Sequence, residues 1–227
     1  MNNNAAFKSL LGLVGASLLA TQAYATPLKV TGFQYASGVT QATIVNAAPA
    51  ANARVYAGGF LTTNLADNSS FVTWCVDIFQ PIYFGQTVND YSLATGVAAL
   101  GSAKATALGK LATLALPLVN NAASSGAFQL AVWELVNELS NNPLNLAANN
   151  FRVGNVTNGS QATAQGWLAG LANINSQYTV SVWQSRSRQD LVVFERTRVP
   201  EPGALALFLV GLGVAGAMRL RLVPTAR

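Results

Sequence analysis

The spacing of apolar and polar positions changes period several times along the chain. Leu28–Tyr35 and Gln41–Val45 carry Val, Ile, Thr and aromatic residues in short runs, which predicts two strands. Ala53–Phe60 predicts a weaker strand that contains Gly58-Gly59, and Ala66–Ser70 is a turn cluster. Phe71–Phe79 gives the strongest strand signal, with Val72, Trp74, Val76 and Ile78 alternating onto one apolar face. Tyr91–Leu116 is rich in Ala and Leu at helical spacing. Gly96, Gly101 and Gly109 divide that helical stretch, and Pro117 closes it. Ser125–Ser140 predicts a further helix whose apolar stripe is Phe128, Ala131, Val132, Leu135 and Leu139. Asn141–Ser160 holds seven asparagines and reads as loop. Gln161–Ile174 predicts a last helix, and Tyr178–Gln184 with Leu191–Arg196 a closing hairpin. The order strands, helices, strands predicts an α+β fold: a β-sandwich or barrel-like framework with a helical insertion.

Both ends depart from this pattern. Lys8, the apolar run Leu10–Ala20 and Ala23-Tyr24-Ala25 form a basic, apolar and small-x-small series, so residues 1–25 read as a secretory signal peptide. Cleavage there leaves Thr26 first. Gly203–Met218 is an unbroken run of 16 small or apolar residues, followed by Arg219 and Arg221. As a helix it spans about 24 Å, short for a membrane core of about 30 Å but extendable by snorkelling arginines. Those arginines predict a single membrane helix over 203–218 with residues 26–198 outside the cytoplasm. Pro200-Glu201-Pro202 precede the run and hold the chain extended. Pro-Glu-Pro, a short apolar helix and a basic tail, within 199–227, resemble the PEP-CTERM sorting signal of Gram-negative bacteria that make exopolysaccharide. The resemblance implies processing by signal peptidase and an exosortase. It also implies transient anchoring in the inner membrane and delivery to the cell surface or extracellular matrix.

Composition narrows the chemistry of 26–198. Charged residues are 9% of the chain, against about 25% in an average domain. Nine Lys/Arg against seven Asp/Glu leave this middle region at +2, too little for a nucleic-acid surface. There is no histidine, which removes Ser-His-Asp and Cys-His systems. One cysteine, Cys75, excludes a disulfide framework within the chain. No metal or other cofactor is expected, and no turnover enzyme. The carboxylate pairs Asp77/Asp90 and Glu134/Glu138 have no spacing argument behind them, and Glu134 and Glu138 read as a solvated helix face.

Two segments carry candidate chemistry. Alternation puts Cys75 on the face opposite Val72, Trp74 and Val76, away from the expected core, between Thr73 and Asp77. An exported chain with one thiol calls for an explanation. Asp77 raises the thiol pKa by like-charge repulsion, and is a candidate assisting carboxylate. In Ala127–Leu135, Gln129 stands beside the apolar stripe, with Trp133 one turn on to cover it. Aromatic-Cys-apolar-Asp on a strand, then Gln-x-Ala-Val-Trp opening a helix, resembles the Cys–Gln thioester domain of bacterial surface adhesins, over roughly Phe71–Ala172. Phe128 departs from the polar residue common there in that family. The resemblance implies that Cys75 supplies the sulfur and Gln129 the acyl group, with Ala131 and Trp133 in the family's signature. Helix N-terminal N–H groups would stabilise the oxyanion, and Trp133 would shield the bond. The expected function is adhesion: covalent capture of a nucleophile on a surface or biofilm-matrix polymer. The alternative is a non-catalytic matrix or polysaccharide-binding protein, with exposed Tyr83, Phe84 and Trp183 stacking on sugars.

Overall fold

The computed structural model describes residues 25–47, 52–138 and 143–197. The expected signal peptide and the sorting segment with its membrane helix lie outside the described residues, apart from Ala25. Among the described residues no helix is long and apolar enough to cross a membrane.

The fold is α+β. Strands β1 (Thr26–Phe33), β4 (Phe60–Asn64), β5 (Ser70–Cys75), β9 (Leu191–Arg196), β8 (Tyr178–Gln184) and β6 (Thr87–Thr95) close an antiparallel barrel in that order. Strands β3 (Ala53–Ala57), β2 (Thr40–Asn46) and β7 (Arg152–Gly154) form a second, three-stranded sheet. The helices α1 (Gly96–Leu100), α2 (Ser102–Ala115), α3 (Ala122–Glu138) and α4 (Ser160–Ala169) fall between β6 and β8, so the helical part is inserted into the β framework.

Three sequence expectations are corrected. Ala53–Phe60 is two strands in different sheets, because Gly58-Gly59 is a corner: a Cβ on Gly59 would lie 3.0 Å from the Trp74 ring and from Val72. Tyr91–Leu116 is helical only from Gly96. Its first residues complete β6, where pairing with β8 overrides the Ala/Leu-rich spacing. Gly101, at φ 86°, separates α1 from α2. The strand expected over Phe71–Phe79 ends at Cys75, where the Asp77 carboxylate accepts from Phe79 N–H at 2.8 Å and turns the chain. Asparagine serves the same purpose elsewhere: Asn52, Asn68, Asn149, Asn155 and Asn158 take left-handed φ values.

Helix α3 organises the interior. Asn121 caps it, its side chain accepting from Ser124 N–H at 2.9 Å while Ser124 Oγ accepts from Asn121 N–H at 3.1 Å. Every residue from Ser125 to Leu135 is buried, so the helix has no wet side there. It packs against β2, β3, β5, α2 and α4. Gly126 permits the closest approach: a Cβ there would sit 1.8 Å from Thr40 Oγ1. Phe128 meets Trp74 at 4.5 Å between ring centroids and Phe194 edge-on at 5.5 Å.

Candidate functional site

The site forms where β4 has not yet begun and β5 is ending. Phe60 pairs with Thr73, so the register would set Gly58 opposite Cys75, but β4 starts at Phe60. On its other side β5 remains paired with β9, Cys75 opposite Leu191, and Val76 N–H donates to Asp190 C=O at 3.0 Å. Cys75 N–H and C=O are thus buried strand groups with no ladder partner. Helix α3 supplies one. Cys75 N–H donates to Gln129 Oε1 at 2.9 Å, and Gln129 Nε2 donates to Cys75 C=O at 2.7 Å. A main-chain donor and acceptor together fix which end of the carboxamide is oxygen. One turn earlier, Ser125 Oγ accepts from Gly59 N–H at 2.9 Å, tying the corner to the same side of the helix.

Cys75 and Gln129 are therefore brought together, both about 1% exposed. The placement of Cys75 away from the core is corrected: Thr73, Trp74, Cys75 and Val76 are all buried, because β5 is covered on both faces. The expectation for Gln129 at a helix start is also corrected, since it lies two turns into α3. Its oxygen takes the Cys75 main-chain N–H rather than a helix N-terminus.

The Cys75 thiol donates to Asp77 C=O at 3.1 Å, and the Asp77 carboxylate holds Phe79 N–H. Burial pushes the thiol pKa up to about 12. The nearby Trp133 side chain opposes this, while the charges of Asp77 and Asp190 add to it. The sulfur is thus a protonated thiol at neutral pH. Trp133 is 3% exposed, and its indole N–H is buried without a hydrogen-bond partner.

Several neighbours escaped the sequence reading. Tyr91 is buried and donates to Gln189 C=O at 2.8 Å. Burial, then the charges of Asp190 and Asp90, raise its pKa. Desolvation also raises that of Asp190, whose carboxylate accepts from Ser185 N–H at 2.9 Å. Asp90 lies apart from Asp77's turn and accepts from Ser185 Oγ at 2.7 Å. No motif marks these residues; the hairpin β8–β9 and strand β6 bring them in by topology.

Glu134 and Glu138 are not a solvated face: both are fully buried. Glu134 accepts from Asn145 N–H at 2.5 Å, and Glu138 accepts from Phe151 N–H. Burial raises the Glu134 pKa to about 7, against the Asn145 hydrogen bond and with help from Glu138's charge. Tyr83 and Phe84 are exposed, the first facing the Arg188 guanidinium at 5.0 Å. Trp183 is half-buried and stacks on Phe71 at 6.4 Å. Among the described residues no cluster of His, Cys, Asp and Glu could hold a metal ion. No protein-family model, no curated protein and no solved structure matches the chain.

Proposed function

We propose that this chain is an exported surface or matrix protein that captures a nucleophile through an internal Cys75–Gln129 thioester. The observation that carries the reading is the two-point hydrogen bonding of the Gln129 carboxamide to the Cys75 main chain. It fixes the acyl carbon beside the residue that bears the sulfur, in a buried place. Cys75 Sγ attacks Gln129 Cδ, and charge develops on Oε1, where Cys75 N–H is already in place to receive it. The C–N bond breaks, and Nε2 leaves as ammonia with the thiol proton. Trp133 keeps water from the product. An outside nucleophile then attacks the same carbon, the C–S bond breaks, and the thiol is restored. The carboxamide is consumed, so each chain reacts once. Export by signal peptidase and exosortase would deliver it to the surface through the inner membrane.

Intact mass tests the bond. The native chain should weigh one ammonia less than its sequence and expose no thiol, and both signatures should vanish in Cys75→Ala and Gln129→Ala. Full mass with one titratable thiol would overturn it. A second reading has its own support: the carboxamide takes the place that Gly58 would fill in the ladder, which suffices as a structural role in a non-catalytic matrix or polysaccharide-binding protein. That reading requires full mass. Terminal peptide mapping of secreted material checks processing, with Thr26 first and the tail after Pro202 lost.

A further inference from the structure

A cavity of about 250 Å³ adjoins the site, and Trp133 belongs to its wall. Trp133 also lies near enough to the Cys75 sulfur to moderate its pKa, without a hydrogen bond to it. Trp133 stands one turn after Gln129 on α3, so the indole borders both this cavity and the Cys75–Gln129 pair. Its chemistry discriminates among nucleophiles. Phe33, Tyr56 and Phe60 give it aromatic walls, with Phe33 and Phe60 tilted at 5.3 Å between centroids and Phe33 and Tyr56 at 6.3 Å. Exposed Arg54 is the one charged side chain among its described lining residues, and no carboxylate lines it. Two of those residues carry buried polar atoms without partners: Trp133 Nε1, a donor, and Gln189 Oε1, an acceptor.

We infer that the captured group is a hydroxyl of an acidic polysaccharide, bound by its sugar ring in this cavity. This rests on the thioester reading above and names its substrate class. A hydroxyl both accepts and donates, so it can satisfy Trp133 N–H and Gln189 Oε1 together. Lysine arrives as an ammonium, which cannot attack until it sheds a proton; it meets the positive charge of Arg54, and no carboxylate lines the cavity to take that proton. Aromatic walls suit the apolar face of a sugar ring. Arg54 suits a uronate carboxylate. In the step itself the hydroxyl oxygen bonds to Gln129 Cδ, the C–S bond breaks, and the hydroxyl proton passes to Cys75 sulfur. The product is an ester and a free thiol, with nothing else consumed.

The test uses the mature protein and intact mass, with methylamine, a galacturonic acid oligomer, a neutral glucose oligomer and a lysine-containing peptide as separate probes. Methylamine uptake with release of one thiol establishes the thioester independently of the cavity. The uronate oligomer should then add at Gln129 at least about tenfold faster than either the neutral oligomer or the peptide, through a bond that hydroxylamine cleaves. In Arg54→Ala the ratio of uronate to neutral adduct should fall about tenfold, and Arg54→Glu should reverse the order of uronate and lysine peptide. A faster, hydroxylamine-stable peptide adduct overturns the inference, as does methylamine uptake without any sugar adduct. A chain inert to methylamine removes the thioester reading and this one with it.

Discussion

The two halves of α3 solve one problem with different groups. Each uses side chains to hold backbone that no ladder pairs. In the first half, Ser125 and Gln129 hold Gly59 and Cys75 with neutral groups. In the second, Glu134 and Glu138 hold the N–H groups of Asn145 and Phe151 with carboxyl groups. A carboxamide both donates and accepts, so Gln129 closes its account with a single residue. A carboxylate only accepts, and Glu134 Oε2 is left buried without a partner. The first clamp is therefore indifferent to pH, whereas the second answers to it. In the proposed reaction the difference also bears on reactivity, since the neutral amide with a donor already on its oxygen is the half that the sulfur would attack.

Trp133 lies between the clamps, and its loss should have the largest effect. Trp133→Ala should cost about 3–5 kcal/mol in denaturant unfolding. It should also shorten the thioester lifetime at least about tenfold by mass. A bond that lasts as long as in the unaltered chain would deny Trp133 its shielding role. Gln129→Leu orphans both Cys75 main-chain groups and should cost about 3 kcal/mol. Gln129→Glu should make the first clamp behave as the second, with stability that declines as pH rises.

Glu134→Gln sharpens the contrast from the other side. With its pKa raised from 4.5 to about 7, Glu134 takes up a proton on folding between those values. Its contribution to stability is therefore full below pH 4.5, falls as pH rises between the two values, and is lost above pH 7. The fall across that interval should amount to about 3 kcal/mol in urea titrations, and Glu134→Gln should flatten it. The smallest effect is expected for Ser125→Ala, about 1 kcal/mol, from the lost acceptor of Gly59 N–H.

How much of this was legible in the sequence follows from what each signal reports. The hairpin β8–β9 and helix α3 were readable because their apolar spacing is long and regular. The end of β6 was misread because Ala and Leu suit either state until β8 pairs with it. The Cys75–Gln129 pair was legible through motif resemblance, yet its geometry was not. Alternation put Cys75 outside the core, because period 2 cannot tell a strand wet on one face from one covered on both. The same limit hid the burial of Glu134 and Glu138: i, i+4 spacing shows that they share a face but not what lies against it. Tyr91, Gln189 and Asp190 carry no local pattern, and only barrel closure brings them near the sulfur.

The two bonds from Gln129 to a single residue have a stereochemical consequence. Because Oε1 and Nε2 reach the N–H and C=O of Cys75 together, the hydrogen that Nε2 donates is the one on the oxygen's side of the amide plane. In an ordinary trans amide, as in the usual ester conformer, that side is taken by the substituent. A captured chain would occupy the place of the lost hydrogen and aim straight at the Cys75 carbonyl. The acyl group must then swing out of its seat once it has fired, and the end of β5 is left open. Amide exchange at Cys75 would thus distinguish a spent molecule from one still armed.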